Sequence, residues 1–229
     1  MFDVIIPLRA GSKGIKNKNI TLFNGEMLVN FLIKKILKIK NINKIYILTD
    51  SEKYKKKILK HQRVDTSYIR SKKLSEDNSS IYELIDDFLK FIQKKNILVN
   101  KILMFQVTSP LLKIIEIKKT LSFIIDKKLS SLFHVTKMIE HPEDCIKGLK
   151  SNWRPLSKKR VVNRQNYNQN YYFITGSLFY FTKKFFQKYK VTYNKSSFAY
   201  RVDKINFIDI DSKFDLEVAK KILNLKIRN

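Results

Sequence analysis

The stretch Ile5-Ile6-Pro7-Leu8-Arg9-Ala10-Gly11-Ser12-Lys13-Gly14-Ile15-Lys16-Asn17-Lys18-Asn19 runs from an apolar segment straight into a glycine-bearing, cationic loop. Phe2 to Pro7 is short and β-branched, the pattern of a buried strand. The loop then follows its C-terminal end, where open α/β sheets collect ligands. Gly11 and Gly14 allow backbone conformations that a side chain forbids, so successive amides can turn inward, while Arg9, Lys13 and Lys18 add positive charge. That combination suits a polyphosphate. Neither Gly-x-x-x-x-Gly-Lys-Ser/Thr nor Gly-x-Gly-x-x-Gly occurs, so the loop is neither a Walker A motif nor a dinucleotide fingerprint. The residues alone fit a Lys-rich surface turn equally well.

Working outward, Asn24-Gly25 signals a turn, and Glu26 to Lys40 carries apolar residues at 28, 31, 32 and 36 between lysines, the period of an amphipathic helix. Lys44 to Thr49 reads as a second strand, and Asp50-Ser51 can cap the Lys-rich helix after it. Strands apolar almost throughout are expected where helices cover both faces of a parallel sheet. A polar loop from Arg70 leads to a helix over about 81–95, with Asn78 or Ser79 as its N-cap. Lys101 to Gln106 is a third strand, stopped at Thr108-Ser109-Pro110, where a helix through about Asp126 begins; Leu129 to Val135 is a fourth. This alternation predicts a three-layer α/β/α fold with a mainly parallel sheet.

From Thr136 to Tyr172 the periodicity fades, and Pro142, Gly148, Trp153 and Pro155 appear, an excursion from the sheet. It holds Arg154, Arg160 and Arg164, three of only eight arginines, so guanidinium forks are concentrated there. A solvated loop and an arm packed on a second subunit are both open readings. Phe173 to Phe181 returns as an apolar strand, 204–210 leads into Asp209-Ile210-Asp211, and Ser212 opens a last helix over 213–226.

The 229 residues suit one large α/β domain, and 44% hydrophobic content excludes disorder. A net charge of +27 would ordinarily suggest nucleic acid, but most of it is lysine scattered among Ile, Asn, Phe and Tyr rather than clustered. It reads as the bias of an AT-rich genome, and no nucleic-acid partner is expected. Cys145 is the only cysteine, and with only His61, His134 and His141 beside it a thiolate zinc site is excluded. No signal peptide or membrane span is legible, so a cytoplasmic protein is expected. In an extended strand Asp209 and Asp211 would point to one side, and two carboxylates beside a triphosphate make a magnesium site. An Asp-x-Asp alone is weak evidence, since Asp211 could simply stabilise the last helix.

Together these pieces resemble the acylneuraminate cytidylyltransferase family, which activates nine-carbon sialic-type acids as CMP conjugates. Four motifs in order carry the resemblance over nearly the whole chain. Ile6 to Asn19 is similar to the family's Ile-Pro-Ala-Arg-Gly-Gly-Ser-Lys-Gly-Ile-Pro-x-Lys-Asn, with Leu8, Ala10 and Lys16 as departures. Arg70, Asp77 and Ser80 match an Arg followed by Asp-x-x-Ser; Gln106 to Leu112 matches Gln-Pro-Thr-Ser-Pro-Leu-Arg; and Asp209-Ile210-Asp211 with Asp215-Leu216-Glu217-Val218-Ala219 matches the closing pattern.

The resemblance implies a nucleotidyltransferase (Rossmann-like) domain over 1–229 with a dimerisation arm at about 137–172. It implies that Arg9, Ala10, Gly11, Ser12, Lys13, Asn19, Arg70 and Ser80 bind CTP, with Arg9, Lys13, Lys18 and Asp211 catalytic. Gln106, Thr108, Arg164, Gln165 and Thr175 would meet the sugar, and Asp209 and Asp211 would hold Mg2+. The implied partners are CTP, a nine-carbon 2-keto-3-deoxy sugar acid and a second copy of the chain. Two departures fall on the acceptor side: Leu112 replaces the usual Arg, and Thr175-Gly176-Ser177 stands for Asn-Gly-Ala. The rivals are a cytidylyltransferase for an eight-carbon sugar acid, which typically has Gln-Gly-Asp where this chain has Gln106-Val107-Thr108, and a nucleotide-fold binding protein without turnover.

Overall fold

Alternation along the strands builds the molecule. The computed structural model describes residues 1–11, 14–138, 140–156, 170–204 and 208–228. In chain order these form β1 (Phe2–Pro7), β2 (Leu22–Phe23), β3 (Glu26–Met27), α1 (Leu28–Leu37), β4 (Ile42–Leu48), α2 (Glu52–Lys55), β5 (Val64–Asp65) and α3 (Ile81–Lys94). They continue with β6 (Lys101–Phe105), α4 (Ile114–Asp126), β7 (Ser131–Lys137), β8 (Ile146–Lys147), β9 (Arg154–Pro155), β10 (Tyr172–Thr182), α5 (Lys183–Tyr189), β11 (Phe198–Arg201) and α6 (Lys213–Arg228). Seven strands make one sheet in the order β11-β7-β10-β6-β1-β4-β5, and only β10 runs antiparallel to its neighbours.

Successive side chains face opposite sides of this sheet. Val4 and Ile6 of β1, Ile45 and Ile47 of β4, Leu103 and Phe105 of β6, and Leu178 and Tyr180 of β10 enter one core, closed by α1, α4 and α6 through Leu32, Ile117, Leu121, Leu216 and Ala219. Ile5, Tyr46, Leu48, Ile102, Met104, Phe179 and Phe181 enter the other, closed by α3 and α5 through Leu84, Phe88, Phe185 and Phe186. The three layers expected from the sequence are therefore present, with a core on each face of the sheet.

Several boundaries differ from the expectation. Asn24 and Gly25 both have positive φ (50° and 78°) and close a two-residue hairpin between β2 and β3, so the first helix starts at Leu28 rather than Glu26. Ser80, not Asn78 or Ser79, caps α3, its hydroxyl accepting the Tyr82 N–H at 3.1 Å. The helix expected from Pro110 begins at Ile114. β11 and α5 were not legible: the four residues of β11 carry no alternating pattern, and α5 has only seven residues. The described part of the excursion carries a single 3-10 turn (Pro142–Asp144) and the ribbon β8–β9. Among the described residues no helix is long and apolar enough to cross a membrane.

Candidate functional site

β1 pairs with β4 on one side and β6 on the other, so the chain's direction of winding reverses between β1 and β6. At their C-terminal ends, where such a reversal leaves a crevice, opens a cleft of about 610 Å³. Pro7, Arg9, Gly14, Lys18 and Asn19 line it from the opening loop, and Arg70, Glu76, Asp77 and Ser79 from the polar loop before α3. Gln106, Val107 and Thr108 line it from the end of β6, and Asp209 and Asp211 from the segment before α6.

The opening loop is held by its neighbours. Asn19 donates from Nδ2 to the Arg9 carbonyl at 3.0 Å, the Ala10 N–H donates to Asp50 Oδ1 at 3.0 Å, and the Tyr54 hydroxyl donates to Asn17 Oδ1 at 3.2 Å. Asn17, with φ 58°, supplies the left-handed residue. Gly11 is not among the positive-φ glycines of the described residues, which corrects the conformational reason given for it above. Gly14 is required by space: a Cβ there would sit 2.3 Å from the Asp211 carbonyl oxygen, so loop and carboxylate segment are in backbone contact.

Two ion pairs span the cleft. Lys18 Nζ lies 2.7 Å from Asp211 Oδ1, and Arg9 Nη1 lies 2.9 Å from Asp77 Oδ1. Arg70 is 8% exposed and donates from Nε to the Leu74 carbonyl at 3.0 Å. Burial lowers its pKa and nearby Arg9 adds to this, while Asp50 opposes; a guanidinium remains charged regardless.

Asp209-Ile210-Asp211 does not form a strand, contrary to the premise of its expected geometry. The Ile210 N–H donates to the Thr108 carbonyl at 2.9 Å, and Ile210 is fully buried, so the aspartates on either side still reach the cleft. Asp211 is exposed, and the backbone N–H groups of Asp211 and Ser212 are both bonded to Asp215 Oδ2, at 3.1 and 2.7 Å. Asp215, rather than Asp211, serves the start of α6. Asp209 is half-buried, and its Oδ1 has no hydrogen-bond partner. Burial raises its pKa, with the charges of Asp211 and Asp215 in the same direction, against a Thr108 hydrogen bond and Lys18. A desolvated carboxylate oxygen without a donor, beside a second carboxylate, is the donor set a hard divalent cation takes when phosphate oxygens and water complete it. Among the described residues no group of three or more His, Cys, Asp or Glu could hold a metal alone.

Of the remaining expected residues, Ala10 and Gly11 lie in the loop but do not line the cleft, and Ser80 is occupied as the α3 cap. Thr175 is 2% exposed and faces inward, with its Oγ1 2.8 Å from Ser177 Oγ, away from the cleft lining. Leu112 is buried in the apolar core. Ser12, Lys13, Arg164 and Gln165 lie outside the described residues. Asp50, Glu76, Ser79 and Gly176 were given no role of their own at the site. The signal for Asp50 was its place at the end of β4, one strand over from the loop; for the others nothing local distinguished them.

The chain matches the family model described as cytidylyltransferase over residues 4–227. It is 25% identical over 215 residues to the N-acylneuraminate cytidylyltransferase of Streptococcus agalactiae serotype V, covering 92% of this chain and 50% of that one. It is 26% identical over 218 residues to the pseudaminic acid cytidylyltransferase of Campylobacter jejuni, covering 94% and 93%. The chain thus spans about half the length of the first relative and nearly all of the second. A solved CMP:2-keto-3-deoxy-manno-octonic acid synthetase complexed with CTP superposes with a TM-score of 0.69 at 11% identity, covering 99% of this chain and 100% of that one, a likeness of fold. With the family model spanning both the opening loop and the carboxylate segment, the chain belongs to the cytidylyltransferase family.

Proposed function

We propose that this chain transfers the cytidylyl group of CTP to a nonulosonic (sialic-type) acid, giving the CMP-sugar and pyrophosphate. The observation that carries the proposal is the meeting of the cationic loop and the carboxylate pair in one cleft, where Lys18 and Asp211, 193 residues apart, are in contact at 2.7 Å. Both relatives named above carry a sialic-type acid in their names. In the reaction the anomeric 2-hydroxyl of the acid attacks the α-phosphorus; a new O–P bond forms, the bond to the β-phosphate oxygen breaks, and the hydroxyl proton is lost.

The protein's tasks are positioning and neutralisation of charge. Lys18 and Arg9 exchange Asp211 and Asp77 for phosphate oxygens, so the ligand-free ion pairs keep the cationic groups pointed into the cleft. Arg70, buried below the 71–80 loop, lies on the side assigned to cytosine. Gln106 and Thr108, at the end of β6, lie on the acceptor side. Asp209 and Asp211 are the residues that would hold Mg2+, which supplies Lewis-acid polarisation of the phosphoryl group when bound. For the homodimer, support comes from apolar surface on and beside the arm: Ile146, Leu149, Trp153, Leu156, Tyr172 and Ile174 are all exposed.

The test is pyrophosphate release with CTP, magnesium and a panel of sialic, legionaminic, pseudaminic and eight-carbon acids. Release with a nine-carbon acid is the expected result. Release with the eight-carbon acid alone would replace the acceptor class, and tight CTP binding without any release would leave a binding protein.

A further inference from the structure

We propose that His134 is a positioning residue for the acceptor side of the cleft, acting through a bulge in β10 that sets the place of Gln106. The inference rests on the cytidylyltransferase reading given above.

The bulge is visible in the strand register. Ile174 pairs with Val135 and Phe179 with Phe133, so the four residues 175–178 of β10 face one residue of β7, His134. On its other edge β10 pairs Leu178 with Phe105, which places the bulge beside Gln106. Gly176 has φ 68°, a left-handed conformation that disfavours any side chain. A Cβ there would lie 2.7 Å from Gln106 Oε1, 3.2 Å from its Cδ and 3.3 Å from its Nε2, so the Gln106 amide rests on the bare Cα of the bulge. Gly176 therefore bounds the Gln106 amide on one side.

His134 holds the bulge from below. It is fully buried, and its Nδ1 lies 3.2 Å from Ser177 Oγ, while the Thr175 hydroxyl donates to the His134 carbonyl at 3.3 Å and lies 2.8 Å from Ser177 Oγ. On the far side its Nε2 lies 3.0 Å from Thr120 Oγ1, whose proton is donated to the Glu116 carbonyl at 2.8 Å. With that proton used, Thr120 accepts from His134 Nε2–H, and the neutral ring accepts at Nδ1 from the Ser177 hydroxyl. Burial keeps the ring neutral, its pKa pushed down to about 3. The chain of contacts runs from α4 through Thr120, His134 and Ser177 to Gly176 and Gln106. It explains why Thr175 faces inward: its hydroxyl belongs to this network, leaving the acceptor to be met by Gln106.

The test separates the two ring nitrogens. An Asn amide reaches about where Nδ1 lies and a Gln amide about where Nε2 lies, so His134→Asn keeps the bond to Ser177 and His134→Gln gives it up. Ser177→Ala removes the same bond without touching the histidine. The expected result is that His134→Gln and Ser177→Ala raise the acceptor KM by about tenfold or more with the CTP KM within about twofold, while His134→Asn stays within about threefold on both. The Gln106 side-chain amide resonance, assigned with Gln106→Ala, should shift in His134→Gln and Ser177→Ala and hold its place in His134→Asn. Equal behaviour of the two His134 variants, in KM or in that resonance, overturns the proposal, as does a parallel rise in both KM values. The resonance is read without turnover, so a wild-type protein that releases no pyrophosphate counts against the proposed function and leaves this test standing.

Discussion

Gly14→Ala isolates the contact that joins the two halves of the site. An alanine Cβ at this position would lie 2.3 Å from the Asp211 carbonyl oxygen, whereas ordinary contact begins at 3.4 Å. The difference, 3.4 less 2.3, requires a displacement of about 1.1 Å, and the obstructing atom is backbone, so a side-chain rotation cannot provide it. Either the opening loop lifts, carrying Lys18, or the Asp209–Asp211 segment retreats. Overpacking of this kind costs about 1–3 kcal/mol, and in a chain of this size each kcal/mol lowers Tm by about 2–4 °C. Misplacement of reacting groups by about 1 Å lowers the rate by about 100-fold. The assay is kcat from pyrophosphate release at saturating CTP and acid, with a thermal melt of the same preparation. Gly11→Ala is the internal control, because among the described residues its Cβ would meet nothing within 4 Å; its Tm should stay within about 1 °C of the parent. A Gly14→Ala protein with the parent's Tm and kcat would refute the claim that loop and carboxylate segment are in backbone contact.

The aspartates give two further predictions of opposite character. Asp211→Asn should reduce kcat by about 100-fold or more while CTP still binds, checked by calorimetry beside the rate assay; a normal rate would remove Asp211 from the metal site. Asp209→Asn should abolish turnover yet raise Tm at neutral pH, because burial raises the folded-state pKa of Asp209 and its ionised form therefore destabilises the fold. That destabilisation is fully present above the raised pKa and disappears as the pH falls below the ordinary aspartate value of 3.8, so the gain in Tm should vanish in acid. A variant less stable than the parent at pH 7 would sink this reading. For the arm, Tyr172→Glu, at a position 45% exposed, should convert the proposed dimer into a monomer at micromolar concentration in sedimentation velocity; an unchanged dimer would move the interface elsewhere, and a monomeric parent would remove the dimer.

The sheet was legible because a short continuous apolar run is a local property. Strands such as Ile102-Leu103-Met104-Phe105 are apolar at every position, and a segment that must face two cores can be nothing else. The helix α1 showed its buried face through residue spacing alone. β11 was illegible because its partner residues in β7 lie 66 positions earlier and nothing in Phe198–Arg201 records that pairing. The expected placing of Asp209 and Asp211 rested on strand alternation, whereas they reach the cleft through the burial of Ile210 and its bond to Thr108.

By itself the sequence determined the two-faced sheet, the cationic loop at the end of the first strand and the types of residue available for phosphate and a divalent cation. These follow from hydrophobic period and side-chain chemistry, which need no knowledge of distant neighbours. Only the tertiary structure decided which groups meet: Lys18 with Asp211, Arg9 with Asp77, Gly14 with the Asp211 backbone, and Gln106 with Gly176. Each of those contacts joins residues at least 68 positions apart, and the strand order of the sheet they stand on has no local signature in the chain.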